Sequence, residues 1–291
     1  MSSELIVLHH PSGSTVDILP YGATVVSWKT AGQERLFVSK DAIRDGSKPV
    51  RGGIPIVFPW FGAASQPQLP QHGFARSSVW SYAPVKDGDV SVTLTLEPTE
   101  LIQSLYKPST PPPFHLSLVV TLGEFDLSTE LQVRNTSASE SFEFQGLFHN
   151  YIRAPVDQIR VSPLGYLTYF DKTVLTEDKQ PTPRIHDQDE VQVKKFTDSV
   201  YENAAKVKEG AQGPQDGWHG KVTWPGGSIS VDSANLKDIV VWNPYAELGD
   251  MKGEQWRDFV CCEPGHVRGF VKIAPGETWA GSQKLTVGNA Q

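Results

Sequence analysis

Apolar and polar residues alternate along many short runs of this chain, and the alternation predicts β-strands. The clearest runs are VSVTLTL at residues 90–96 and HLSLVVTL at residues 115–122, where every second residue is apolar. A strand of this kind buries one face and exposes the other. Further runs with strand character, separated by glycine and proline turns, are ELIVL, STVDIL, ATVVSWK, DLSTELQVRN, LKDIVVWNPY, FVCCEPG, VRGFVKIAPG and KLTVG.

The spacing of these runs predicts how the strands are joined. Residues 79–153 hold about five strands linked by tight turns, the arrangement of an antiparallel meander. One short helix is predicted at residues 99–106, with Thr99 as its N-cap. Strand signals weaken over residues 155–220, where two prolines interrupt the pattern.

The composition is typical of a globular protein: 291 residues, of which 38% are hydrophobic and 20% charged. The chain contains 25 Gly and 22 Pro, and it has no internal repeat, low-complexity segment or linker. Strand signals throughout, with almost no amphipathic helix, favour a single all-β domain over residues 1–291. We predict a large antiparallel β-sandwich, whose core is big enough to need no disulfide.

The formal net charge of −7 indicates a surface that repels nucleic acids and anionic membranes. The opening MSSELIVLHH lacks the basic segment of a signal peptide, and no apolar run approaches the length of a membrane span. The two cysteines, Cys261 and Cys262, are adjacent, which strains an ordinary disulfide. We therefore expect a cytoplasmic monomer with neither nucleic-acid nor membrane partners.

The stretch RGGIPIVFPWFGAASQPQLPQHGFAR, from Arg51 to Arg76, fits neither a helical nor a strand period. Its four prolines restrict the backbone, and its aromatic residues lie between charged ends, so we predict an ordered pocket wall. A guanidinium group binds carboxylate or phosphate through two hydrogen bonds, which makes both arginines candidate anion-binding residues. Alternatively, both arginines are exposed to solvent or pair with some of the 33 acidic residues.

Candidate acid–base residues are few. His72 and His149 lie in aromatic, glycine-containing contexts, QHGF and GLFHNY, although a histidine there can equally be a hydrogen-bonded structural residue. Glu263 follows an apolar strand and precedes a Pro-Gly turn, so we expect it at a strand end beside apolar neighbours. Such surroundings raise a carboxyl pKa and suit a general base, whereas a surface turn is the alternative. Asp198 by itself indicates only a turn or a helix cap.

Metal catalysis is a further alternative. Metal-binding β-sandwich isomerases of the cupin type usually supply an HxH pair with a carboxylate a few residues on. This chain has no HxH, and no pair of Cys or His residues has the spacing of a zinc site. We therefore predict no metal site.

Six motifs occur in order along the chain: RGGIPIVFPWFG, QHGFAR, GLFHNY, TDSVY, VVWNP and VCCEPG. Together they closely resemble the hexose-6-phosphate mutarotases, the glucose-6-phosphate 1-epimerase-like members of the aldose-1-epimerase (galactose mutarotase-like) superfamily. PYGATVVSW near the start also resembles that family's opening strand. The resemblance implies a β-sandwich of the supersandwich type with an open cleft on one concave face. It also implies cofactor-free interconversion of the α and β anomers of a hexose 6-phosphate such as glucose 6-phosphate.

Carried over by motif, the resemblance implies that His149 is the general acid and Glu263 the general base. It implies substrate-binding roles for four further residues: Arg51, Gln71, Arg76 and Asp198. Three more are expected near the site: His72, Trp242 and Asn243. Which arginine holds the phosphate stays open, and residues 104–115 and 171–195 match no family motif.

Two other functions fit parts of the same pattern. A non-catalytic sugar-phosphate-binding β-sandwich would keep the cleft but would be free to lose His149 and Glu263, which this chain retains. A glycosidase would need a second carboxylate facing Glu263. Only Asp198 is available for that role, and the arginines would then have no explanation.

Overall fold

The computed structural model describes residues 4–63, 69–107, 109–206, 217–246, 251 and 253–288, and structural statements refer to these residues. They form twenty β-strands, one α-helix and four short 3-10 helices. The α-helix has seven residues. No helix in the described part of the chain is therefore long enough to cross a membrane.

The strands are numbered in chain order. The first ten are β1 (Ile6–His9), β2 (Thr15–Leu19), β3 (Thr24–Thr30), β4 (Gln33–Glu34), β5 (Ile56–Val57), β6 (Ser81–Tyr82), β7 (Ser91–Leu96), β8 (Phe114–Leu122), β9 (Asp126–Asn135) and β10 (Phe142–Phe148). The last ten are β11 (Tyr151–Arg153), β12 (Arg160–Ser162), β13 (Thr168–Leu175), β14 (Pro181–Ile185), β15 (Thr197–Tyr201), β16 (His219–Trp224), β17 (Gly227–Ala234), β18 (Asp238–Asn243), β19 (Phe259–Ile273) and β20 (Thr278–Gly288). The helices are α1 (Glu100–Tyr106) and the 3-10 turns Ala75–Ser77, Val156–Gln158, Ala204–Lys206 and Gln255–Asp258.

Hydrogen bonding arranges these strands in three sheets. A small sheet has the order β1-β2-β3-β4. The cleft sheet has the order β14-β13-β15-β18-β19-β10-β5, with β11 also paired to β19. The back sheet has the order β12-β16-β17-β20-β9-β8-β7-β6. The strand pairs are antiparallel, and the predicted all-β sandwich is confirmed.

One apolar core joins residues of all three sheets, including Trp28 of β3, Leu118 of β8 and Val241 of β18. The alternation predicted for β7 and β8 follows from this packing, because every second residue of both strands is buried. The predicted helix is also confirmed as α1. Thr99 Oγ1 accepts a hydrogen bond from the N–H of Ile102 at 3.2 Å, which satisfies an N–H that lacks an intrahelical partner.

The predicted meander is only partly correct. Strands β6 to β9 follow one another both along the chain and in the back sheet. The prediction is wrong for β10 and β11, which pair with β19 in the cleft sheet. Strand β10 buries five consecutive residues, 144–148, so its sequence lacks the alternation that marks a strand with one exposed face.

The two prolines expected to interrupt the pattern instead belong to a strand. Pro181 and Pro183 lie in β14, which pairs with β13 and forms the edge of the cleft sheet. An edge strand tolerates proline because one side of its backbone has no neighbouring strand to bond.

A pair of buried amides links the two large sheets beside the cleft. Asn150 Nδ2 donates to Gln283 Oε1 at 2.7 Å, and Gln283 Nε2 donates to Asn150 Oδ1 at 2.8 Å. Asn150 Nδ2 also donates to the carbonyl oxygen of Cys262 at 2.9 Å. Since Asn150 directly follows His149, this network holds the backbone from which the His149 ring projects.

Replacing Asn150 by alanine would leave the Gln283 amide and the Cys262 carbonyl without these partners in the core. We expect the free energy of unfolding to fall by about 2–4 kcal/mol, since a buried polar group without a partner costs roughly 1–3 kcal/mol. Urea denaturation measures the change, with Gln103→Ala on the exposed surface of α1 as the control. A loss no larger than that of the control would contradict the structural role of the amide pair.

Candidate active site

A cleft of about 640 Å³ opens on one face of the cleft sheet. Eight of the nine residues indicated by the sequence line it: Arg51, Gln71, His72, Arg76, His149, Asp198, Trp242 and Glu263. The ninth, Asn243, is fully buried away from it. Asn243 Nδ2 donates to the carbonyl oxygens of Trp256 and Phe259 at 2.9 and 2.8 Å. The side chain of Asn243 therefore stabilises the fold and does not face the cleft.

Strand register explains how distant residues reach this cleft. Asp198 of β15 pairs with Trp242 of β18, and Trp242 pairs with Cys261 of β19. Two residues farther along β19, Glu263 pairs with Val240. Paired residues share a face and side chains alternate along a strand, so Asp198, Trp242 and Glu263 all project from one face of the sheet.

Glu263 does not lie at a strand end, as the sequence suggested. It lies inside the 15-residue strand β19, and the Pro264-Gly265 pair continues that strand. The glycine permits close packing, because a Cβ on Gly265 would lie 2.8 Å from the Cβ of Leu147 on neighbouring β10. Glu263 is buried, at only 1% exposed, but its neighbours are not all apolar, since His149 lies beside it and the charges of Asp198, Lys172 and Arg76 act on it.

His149 and Glu263 face each other at the floor of the cleft, with His149 Nδ1 3.5 Å from Glu263 Oε1. This separation is longer than a typical hydrogen bond. Within the described residues, His149 Nδ1 and Glu263 Oε2 have no hydrogen-bond partner. The His149 ring is held by stacking on Tyr151, with centroids 4.8 Å apart, and by the bond from its backbone N–H to the Pro55 oxygen at 3.0 Å.

Burial favours the uncharged form of both groups. It raises the pKa of Glu263 well above its ordinary value, and the negative charge of Asp198 adds to the effect. It lowers the pKa of His149 well below its ordinary value, with smaller contributions from His72, Arg76 and Arg51. The pair therefore holds one proton, on the carboxyl, and the imidazole is neutral.

The loop between Arg51 and Arg76 is held by specific contacts, although its central residues 64–68 lie outside the described residues. His72 has a positive φ of 64°, and its N–H donates to the Gly62 oxygen at 2.8 Å. The Gly62 N–H donates in return to His72 Nδ1 at 3.1 Å, so the ring proton is on Nε2. Burial and then the charges of Arg76, Lys172 and Arg51 lower the pKa of His72 to about 3.

Both arginines of the loop reach the cleft, but they are held differently. Arg76 Nη2 donates to the Gln71 carbonyl oxygen at 2.8 Å, while its buried Nε has no partner among the described residues. Arg51 hydrogen-bonds to Tyr151, whose ring packs against His149. The loop therefore places two guanidinium groups around the His149–Glu263 pair.

Lys172 is a cleft residue that the sequence did not indicate. Its Nζ lies 3.0 Å from Asp198 Oδ2 and 4.7 Å from the centre of the Phe61 ring. Pairing of β13 with β15 brings it there, in a segment that matched no motif. Asp198 itself lies in strand β15, not in a turn or a helix cap.

The cleft is basic although the protein as a whole is acidic, with a net charge of −7. Four basic side chains line it: Lys48, Arg51, Arg76 and Lys172. Three carboxyls also line it: Asp41, Asp198 and Glu263. Because the Glu263 carboxyl is held neutral, positive charge exceeds negative charge in the cleft, which suits an anionic ligand.

Comparison with known proteins assigns the chain to a family. A family model described as aldose 1-epimerase matches residues 4–286. The chain belongs to this family. As a member of the aldose 1-epimerase family, it is an isomerase that acts on a sugar. This chain has the all-β fold and the open cleft that the motifs implied.

Relatives within the family have consistent names. A protein of Cenchrus ciliaris, named "Putative glucose-6-phosphate 1-epimerase", is 32% identical over 97% of this chain and 84% of its own length. A protein of Escherichia coli with the same name is 30% identical over 93% of this chain and 85% of its own length. The crystal structure of a "putative mutarotase" from Salmonella typhimurium is 26% identical and has a TM-score of 0.80, covering 98% of this chain and 90% of that one.

The buried carboxyl of this aldose 1-epimerase family member predicts a pH-dependent stability gain for Glu263→Gln. Between the ordinary carboxyl pKa of 4.5 and the raised pKa, the folded state binds one more proton than the unfolded state. In that window this group lowers wild-type stability by about 1.4 kcal/mol per pH unit, and glutamine removes the effect. We expect the advantage of the variant to grow as the pH rises above about 5 and to level off at the raised pKa.

Urea denaturation of both proteins at several pH values measures this difference. Glu143→Gln, on an exposed position of β10, is the control for loss of a surface carboxyl. A stability difference between Glu263→Gln and wild type that stays constant with pH would contradict the burial of a neutral carboxyl.

Proposed function

We propose that the protein is a hexose-6-phosphate mutarotase, which interconverts the α and β anomers of glucose 6-phosphate and related hexose 6-phosphates. The observation that carries the proposal is the His149–Glu263 pair, 3.5 Å apart, on the floor of a basic cleft. The names of the relatives agree with a phosphorylated sugar as substrate.

The proposed reaction opens the sugar ring, rotates the C1 group and closes the ring on the other face. Opening requires a base to take the proton of the anomeric hydroxyl and an acid to protonate the ring oxygen. We assign the first step to Glu263 and the second to His149, after the proton of the Glu263 carboxyl has moved to His149 across the 3.5 Å between Oε1 and Nδ1. The roles are exchanged on closure. The open-chain aldehyde needs no covalent link to the enzyme, and the proposed steps use neither a metal nor a cofactor.

Substrate charge prepares the pair for these roles. The positive charges of Arg51 and Arg76 lower the pKa of His149, and Arg76 also opposes the raised pKa of Glu263. A phosphate bound to these arginines offsets their charge and therefore raises the pKa of both His149 and Glu263. Because both arginines act on His149 and only Arg76 acts on Glu263, substrate binding favours transfer of the proton from the carboxyl to the imidazole, as the two roles require.

The remaining cleft residues suit recognition of the sugar phosphate. Arg51 and Arg76 bind the phosphate, and Lys172 adds a third positive charge beside Asp198. Asp198 accepts hydrogen bonds from sugar hydroxyls. The side-chain amide of Gln71 and the Nε2–H of His72, 3.4 Å apart, lie close enough to bind one sugar together.

Removing either member of the acid–base pair should abolish catalysis while leaving binding intact. For His149→Ala and Glu263→Gln we expect kcat to fall by about 10²–10⁴-fold, the usual contribution of one acid–base group. Polarimetry of freshly dissolved α-glucose 6-phosphate measures the rate, and calorimetry measures binding. His115→Ala, a histidine paired with Glu97 outside the cleft, is the control.

The outcome also separates this proposal from its alternative. Unchanged rates in both variants would overturn the assignment of acid and base. Binding of glucose 6-phosphate by the wild-type protein without any acceleration would indicate a non-catalytic sugar-phosphate-binding protein.

Loss of a basic side chain should affect phosphorylated sugars selectively. For Arg51→Ala and for Lys172→Met we expect kcat/KM on glucose 6-phosphate to fall about 10–100-fold, since a charged hydrogen bond contributes roughly 1.5–3 kcal/mol. The rate on unphosphorylated glucose should change much less. Lys284→Met, an exposed lysine of β20, is the control. An equal fall in kcat/KM on both sugars would mean that the substituted residue does not bind the phosphate.

A further inference from the structure

Three potential metal ligands meet at the floor of the cleft. A ring nitrogen of His149, Cys261 Sγ and a carboxylate oxygen of Glu263 all lie within 4.8 Å of one another, and all three residues are buried. The spacing of these residues along the sequence does not indicate a metal site. His149 and Cys261 are brought together by the pairing of β10 and β11 with β19.

The pleat of β19 gives the two adjacent cysteines different surroundings. Cys261 pairs with Trp242 and projects from the same face as Glu263, two residues farther on. Cys262 pairs with Val241 and therefore projects from the opposite face, into the core between the sheets. Only the first thiol can join His149 and Glu263.

The polar atoms of this group lack partners in the protein. Glu263 Oε2 and His149 Nδ1 are buried without a hydrogen bond among the described residues. A tetrahedral Zn²⁺ ion holds nitrogen, sulfur and oxygen ligands about 3.3–3.6 Å from one another. The separation of 3.5 Å between His149 Nδ1 and Glu263 Oε1 already fits this range.

We propose that the cleft binds a thiophilic divalent cation, with Zn²⁺ as the example, through His149, Cys261 and Glu263, and that the bound ion blocks catalysis. The fourth coordination position faces the cleft and takes water. On binding, the Cys261 thiol and the Glu263 carboxyl each release a proton to solvent, and the resulting thiolate and carboxylate balance the two charges of the ion. Inhibition rests on the proposed function, whereas binding of the ion does not.

The ligand set also predicts which ions are excluded. Mg²⁺ and Ca²⁺ take six or more oxygen ligands, so a site with one sulfur and one nitrogen does not suit them. The neighbouring Arg51 and Arg76 oppose any cation, which makes the thiolate and carboxylate charges essential. Loss of the thiol should therefore weaken the site strongly.

The test measures anomer interconversion by the whole protein at buffered concentrations of free Zn²⁺. At ten times the Kd for zinc, we expect the wild-type rate to fall roughly tenfold and to recover when EDTA is added. Cys261→Ala should raise the Kd at least about 100-fold, since loss of even a second-shell partner costs 10–100-fold. Cys262→Ala, in the same strand but on the opposite face, should be inhibited like wild type. Mg²⁺ should have no effect.

Two direct measurements keep the proposal independent of activity. Calorimetry with Zn²⁺ alone should detect one site in wild type and in Cys262→Ala. Co²⁺ should produce thiolate-to-metal charge-transfer absorption in these two proteins and not in Cys261→Ala. Absence of zinc binding in the wild-type protein, or equal inhibition of Cys261→Ala and wild type, would overturn the proposal. Zinc binding by a protein without mutarotase activity would support this site and contradict only the proposed function.

Discussion

The register of β15, β18 and β19 is the constraint on which the site depends. It places Asp198, Trp242 and Glu263 on one face of the cleft sheet, and the pairing of β10 with β19 brings His149 to the same place. A slip of one residue would turn every one of these side chains to the other face. The many apolar residues that β18 and β19 bury in the core oppose such a slip, so core packing also specifies the chemistry.

The buried polar groups at the floor of the cleft lower the stability of the fold. Glu263 and His149 are buried with polar atoms that have no partner among the described residues, an arrangement that lowers stability. The surrounding structure offsets part of this cost through buried groups that are hydrogen-bonded, such as the Asn150–Gln283 amide pair. Unpaired groups at the floor of a cleft remain available to a substrate, which explains why a stable fold keeps them.

Much of the site could be predicted from sequence because its residues lie in specific motifs. Lys172 could not, since its place in the cleft comes from the pairing of β13 with β15 and from no local pattern. Asn243 shows a different limit: it follows Trp242 in one strand, so only one of the two can face the cleft. The same period-two rule separates Cys261 from Cys262. The fold class followed from alternation, whereas the assignment of β10 to a sheet did not, because its buried run does not alternate.

Strand β14 has a consequence for the behaviour of the protein in concentrated solution. An exposed sheet edge offers unpaired N–H and C=O groups to other chains and is a common starting point for aggregation. Here Pro181 and Pro183 remove two of those donors, and the edge also carries the exposed apolar side chain of Ile185. The prolines therefore oppose the addition of a strand from another molecule at this edge of the sheet.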